Sequence, residues 1–181
     1  EMYEESIEVA EEILLYHDND KRLLKLVADA YIKNINDTKA LKYLEKLIEI
    51  DPSNSEYIIR LSNTNLNLFA FEKAYFWANK AIGLNKMIGK AYFQRAEVLT
   101  QLVDHYRSDE LDFCDRLVYD LALEDYNLSY DNGNFNAKIY VNQLNSLYHL
   151  LYLKITKDLH FLQIRFSVQK DQRVLLPMRY G

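Results

Sequence analysis

At 181 residues the chain suits one ordinary domain with a continuous core, and its 49% apolar and 27% charged residues exclude a disordered chain. Only 4 Gly and 2 Pro serve that length, which excludes a many-turned β protein and favours long helices joined by short turns. The net charge of −5 speaks against nucleic acid as a partner of the body, and no apolar run reaches the roughly 18 residues of a membrane span.

The first predicted element is a helix within residues 1–18, with Ser6, Ala10 and Ile13 on its packing face. A helix pair follows over about 21–52. Its first helix carries Leu24, Val27, Ala28 and Tyr31 at helical spacing, and after a break at 34–37 the second carries Ala40, Leu44 and Leu47. Pro52 closes that pair, because proline cannot continue the hydrogen-bond ladder and its neighbour avoids helical angles. A shift of 34 residues reproduces the pattern over 55–86: Leu24 becomes Ile58, Val27 becomes Leu61, and Ala40, Leu44 and Leu47 become Ala74, Ala78 and Ala81. The same shift backward reaches Ser6, Ala10 and Ile13, so residues 1–18 form the second half of a pair.

A third pair spans 89–132, starting at Gly89 with Tyr92 and Ala96 in register. Its second helix arrives late, with Ala122, Tyr126 and Ser129, which places an insertion of about fourteen residues at 103–116. Gly133, between Asn132 and Asn134, gives that helix a left-handed cap. A final helix over 137–153 opens a fourth unit, and residues 154–181 form a tail.

Small residues where helices cross, large ones beside them and a 34-residue period resemble the tetratricopeptide repeat family. Ala28, Tyr31, Ala40, Leu44 and Pro52 carry the likeness in one unit, Ala74, Ala78 and Ala81 in the next, and Tyr92 and Ala96 in the third. The resemblance implies an all-α fold: a right-handed α-solenoid of antiparallel helix pairs, about eight helices over residues 1–153, ending in an irregular or short β-like tail. Each pair cannot bury its apolar face alone, so neighbours must stack.

In such solenoids the first helix of each pair lines a concave groove that takes an extended peptide or a helix. The residues expected there are Arg22, Lys25 and Asp29, with Lys33 further along, then Arg60, Asn63 and Asn67. Lys90, Phe93, Gln94 and Glu97 follow from the third unit, and Lys138, Asn142 and Asn145 from the fourth. Cations beside amides suit a carboxylate and an extended backbone. Some family members grip the C-terminal carboxylate of chaperones with a Lys/Asn/Arg clamp. Lys25 and Lys90 match two of its cations, but Asp29 and Arg60 stand where asparagines are expected, so the clamp is incomplete.

The inserted stretch Asp104–Asp115 gathers His105, Cys114 and five carboxylates, yet lacks the spacing of a zinc or calcium site. It reads as a contact loop or solvated decoration, with Asp109, Asp112 and Asp115 on the polar side of a helix or turn. His17, His105, His149 and His160 share no motif with a nucleophile, Cys114 has no base partner, and no glycine-rich phosphate loop is present. No catalytic residue, metal or cofactor is expected. The fifteen tyrosines read chiefly as ring packing between helices.

Six basic residues against two acidic ones give residues 154–181 a charge of +4, leaving −9 on residues 1–153. From His160 to Gln169 apolar and polar residues alternate as in a strand, which could be mobile, paired with Arg173–Leu176, or paired with another chain. Tyr140, Leu144 and residues 148–153 make the last helix unusually apolar, so something must cover it.

The reading is a non-catalytic scaffold that holds a protein or peptide in its groove, without nucleic acid. The alternatives are a helper or regulatory domain of a larger protein, and a homo-oligomer formed through residues 140–176. Opening at Glu1 inside a helix, the sequence reads as a fragment or processed product. The compartment is unspecified: cytoplasmic by default, secreted or periplasmic if a targeting segment preceded Glu1.

Overall fold

The first turn of a helix leaves backbone N–H groups without partners, and short polar side chains before several helices supply them. The computed structural model describes residues 2–107 and 110–149. Its helices are α1 (Met2–Leu14), α2 (Lys21–Lys33), α3 (Asp37–Ile50), α4 (Ser55–Asn67), α5 (Phe71–Leu84), α6 (Gly89–Tyr106) and α7 (Phe113–Asp131), followed by α8 over 137–149. Asp20 accepts from the N–H groups of Arg22 and Leu23 at the start of α2, and Asn54 does the same for Glu56 and Tyr57 at α4. Asn36 caps α3 through Lys39 N–H, and Asp112 and Asp115 form a reciprocal capping box on α7.

Two turns inside the pairs are copies of each other. Ile35 and Phe69, 34 residues apart, both adopt left-handed backbone, φ 55° and 56°. Around them Asn36 N–H reaches Tyr31 O and Ala70 N–H reaches Asn65 O, each at 2.9 Å, closing α2 and α4 alike. Gly133, φ 87°, performs the left-handed turn after α7.

The helix pairs stack as a right-handed α-solenoid, and the described residues contain no strand. Ala28, Ser62 and Ala96 occupy one repeat position and are fully buried, as are Ala40, Ala74 and Ala122 at another. Small side chains there let helix axes approach closely, and Leu24, Leu44, Leu47, Ile58 and Leu61 fill the flanks. Departures from the pattern are satisfied locally. The buried Ser62 hydroxyl donates to Ala74 O at 2.7 Å, and Asn65, standing where Tyr31 stands one unit earlier, donates to Leu61 O at 2.8 Å.

The extra residues of the third unit lengthen its helices more than its loop. Measured against α4 and α5, α6 runs five residues further, α7 starts six earlier, and their connection gains three. Val103 is buried in the added turn of α6, and Tyr119, the counterpart of Phe71 just past the added residues of α7, is buried and donates its hydroxyl to Asp104 of the α6 extension at 2.8 Å.

Helix α1 keeps the 34-residue register, with Ala10 matching the buried Leu44 and Leu14 the buried Ile48. Its packing face is Ile7, Ala10 and Leu14, while Ile13, expected inside, is exposed. The chain comprises two compact units, Glu1–Val141 and Asn142–Gly181. In the first, Ala137 and Val141 of α8 are buried; in the second, the described residues 142–149 are helical, with Leu144 buried and Asn142 and Asn145 exposed. The strand-like alternation at 160–169 and the basic tail lie outside the described residues.

Candidate binding groove

The first helices of the pairs, α2, α4 and α6, bring most of the expected groove residues onto one face, where two cavities open. One, of about 570 Å3, is lined by Arg22, Lys25, Leu26, Asp29, Ala30 and Lys33 of α2, with Ile7 of α1 at its edge. The other, of about 500 Å3, lies along α4, where Ile59, Asn63 and Asn67 line it together with Ile32, Ile88 and Lys90.

Much of the charge on this face is already matched. Arg60 of α4 pairs with Asp29 of α2 and, at 3.0 Å, with Glu56; Lys25 of α2 pairs with Glu56 at 3.4 Å. Glu56 feels burial, which raises its pKa, but Lys25 and the Arg60 hydrogen bond outweigh it and hold the carboxyl below its ordinary value. Asn67 donates to Asp37 at 3.1 Å. Arg22, Lys33, Asn63 and Lys90 have no side-chain hydrogen-bond or ion-pair partner among the described residues and face solvent. The open chemistry of the cavity on α4 is therefore the Asn63 amide, the Ser55 hydroxyl and the Lys90 cation beside three isoleucines.

Three of the four α6 residues expected at the groove, Phe93, Gln94 and Glu97, take other places, while Lys90 lines the cavity on α4. Gln94 is 5% exposed, and its amide nitrogen is buried without a partner. Phe93 packs edge-on against Tyr126 and Tyr140, with ring centroids 5.5 and 5.0 Å away. Glu97 accepts from the Tyr126 hydroxyl at 2.6 Å. Burial and that carboxylate push Tyr126 well above the ordinary tyrosine value. Lys138 stands over the Tyr130 ring at 5.3 Å, while Asn142 and Asn145 belong to the second unit. Among the described residues no cluster of His, Cys, Asp and Glu could hold a metal, and no helix is long and apolar enough to cross a membrane.

Sequence reasoning missed an aromatic cluster at the turn after α4. His105 stacks on Phe69 at 5.0 Å and meets Phe71 at 5.3 Å and Tyr106 at 4.8 Å. This is a packing role for the histidine of the inserted stretch. The only hint was that Phe69 and Phe71 flank a repeat turn, with His105 one period further on.

The stacked helix pairs and the face they present define a tetratricopeptide-like helical-repeat fold. No family model and no curated protein matches the sequence. Among solved structures, the chain is similar to the crystal structure of MamA, with a TM-score of 0.65 and 17% identity over 94% of this chain and 90% of that one. It is also similar to the TPR2B domain of yeast Sti1 in a pHsp70 complex, with a TM-score of 0.56 and 18% identity over 68% of this chain and 91% of that one. The first TPR of Spaghetti (RPAP3) bound to the HSP90 peptide SRMEEVD gives a TM-score of 0.57 and 21% identity, covering 71% and 93% of the two chains.

Proposed function

We propose that this chain is a non-catalytic interaction scaffold that holds an extended peptide or a helical segment of another protein along the face of α2, α4 and α6. The observation that carries the reading is the cavity along α4. Asn63 offers both a donor and an acceptor to a peptide backbone, Lys90 offers a cation to a carboxylate, and Ile32, Ile59 and Ile88 give apolar side chains a seat. Two similar solved structures are peptide or partner complexes by their own description, which supports the reading at the level of fold.

A chaperone C-terminal tail is not the proposed occupant. Arg60 and Asp29 satisfy each other, and Lys25 is engaged by Glu56, so the cations left for a carboxylate on this face are Arg22, Lys33 and Lys90.

Panning a random peptide display library against the chain tests this, with each enriched peptide re-measured against an Asn63→Ala/Lys90→Glu variant. Enriched peptides that lose roughly tenfold or more in affinity for the variant support the groove. Peptides that bind parent and variant equally move the site elsewhere.

A further inference from the structure

Helix α7 carries an apolar row on its outer side. Phe113, Leu117 and Leu121 follow one another at one-turn spacing and are 69%, 47% and 53% exposed. The repeat asks for none of them. Phe113 and Leu117 belong to the residues that α7 gains at its start, and Leu121 takes the position that Lys39 holds in α3 and Lys73 in α5. Both lysines are exposed although their units have helices stacked on either side, so the stacking of repeats does not cover this position. The capping box of Asp112 and Asp115 fixes the first turn, and α7 thus presents the row on a rigid helix over about 12 Å.

The charge beside this row identifies what fits it. Helix α7 holds five acidic residues and one basic one. Asp125 is taken by Arg95 and Asp115 by the capping box, but Asp120 and Glu124 are exposed and have no ion-pair partner among the described residues. They stand one turn apart, three residues beyond Leu117 and Leu121, and so form an acidic row along the apolar one. Packing this face on the α7 of a second copy would set two acidic helices against each other. A basic helix has the opposite charge, and apolar anchors one turn apart are the pattern by which one helix receives another. We propose that the outer side of α7 docks an amphipathic, basic helix of a partner protein. Phe113, Leu117 and Leu121 seat its apolar side, and Asp120 and Glu124 pair with its cations.

A display library of helical peptides with randomised surface positions, panned against the full chain, supplies the probes, and fluorescence anisotropy measures each enriched peptide. The variant Leu117→Lys/Leu121→Lys removes the apolar row at exposed positions, and circular dichroism checks that its helix content is kept. The enriched peptides should carry apolar residues at one-turn spacing beside lysines or arginines. They should lose about tenfold or more in affinity for Leu117→Lys/Leu121→Lys and for Asp120→Lys/Glu124→Lys, and bind Asn63→Ala/Lys90→Glu as they bind the parent. A library that yields no such peptide, or only peptides indifferent to Leu117→Lys/Leu121→Lys, overturns the docking surface. Peptides lost with that variant yet indifferent to Asp120→Lys/Glu124→Lys overturn the basic partner. A parent that sediments as a dimer and returns to monomer with Leu117→Lys/Leu121→Lys overturns it as well, because the occupant is then a second copy.

Discussion

Arg95 of α6 clasps Asp125 of α7 with two parallel hydrogen bonds, Nε to Oδ2 at 2.7 Å and Nη2 to Oδ1 at 2.6 Å. Its remaining Nη1 donates to Asn79 of α5 at 2.6 Å, so one guanidinium ties three consecutive helices together. The aspartate side chain is only 4% exposed, and its hydrogen bond holds the arginine above its ordinary pKa despite the arginine's own burial. Removing one partner of such a pair strands the other. Asp125→Ala should therefore cost about 3–5 kcal/mol of unfolding free energy, seen as a lower urea midpoint. A loss under 1 kcal/mol would mean that the arginine finds water or another acceptor.

Gly89 begins α6 against the end of α7. A Cβ at this position would lie 2.6 Å from Ser129 O and 2.9 Å from Asn132 O, both backbone atoms that cannot swing aside. The equivalent positions Lys21 and Ser55 carry side chains, so the requirement is particular to the third unit. Gly89→Ala should destabilise the chain by about 1–3 kcal/mol although alanine is the better helix former. Thermal melting decides it: an unchanged or raised midpoint would show that the α6–α7 contact slides open freely.

The repeat register was legible because it rests on side-chain volume. Ala28 and Ala40 recur as Ser62 and Ala74, and nothing larger fits where the helices cross. Position 13 misled because a repeat pattern describes a residue with all its neighbours present, whereas Ile13 is 41% exposed among the described residues. The groove was legible as a face but not as chemistry. Asp29 and Arg60 sit on adjacent helices, and reading each helix alone cannot show that they cancel. Gln94 followed the polar pattern of its helix face yet is buried. The insertion read as a loop because the apolar period fades after Val103, while it extends α6 and α7, with Val103 buried in the added turn of α6 and Tyr119 buried where α7 rejoins the repeat.

Ile35 is a β-branched residue held at φ 55° with 88% of its surface exposed. It bears the cost of left-handed backbone, roughly 1–2 kcal/mol for an L residue, and gains little burial in exchange. Glycine adopts that geometry without the clash but loses more chain entropy on folding, about 0.5–1 kcal/mol. The balance predicts that Ile35→Gly stabilises the chain by about 0.5–1 kcal/mol. Phe69→Gly should not match it, because the Phe69 ring also packs on Phe71 and His105. A pair of melting curves checks the contrast, and equal gains at both positions would show that the aromatic cluster contributes nothing.

Among the described residues, Tyr31 and Tyr43 donate to Glu11, Tyr119 to Asp104, and Tyr126 to Glu97. Burial first, and then the accepting carboxylate, raises each hydroxyl; Tyr31 and Tyr119 are pushed from 10 up to about 12, and Tyr43 and Tyr126 also rise. On the acid side, burial raises Glu11, but the hydrogen bonds from Tyr43 and Tyr31 outweigh it and leave the carboxyl below 4.5. Raised tyrosine values mean that the folded chain keeps protons the unfolded chain would release. Their stabilisation is complete below pH 10 and is lost as pH rises through about 12. Glu11 works in the opposite sense, so its share is present above 4.5 and fades as pH falls through its lowered value. Urea midpoints should therefore hold level from pH 7 to 9 and drop above 10. Tyr119→Phe should flatten part of that alkaline drop; an unaltered slope would show that Tyr119 takes no part in it.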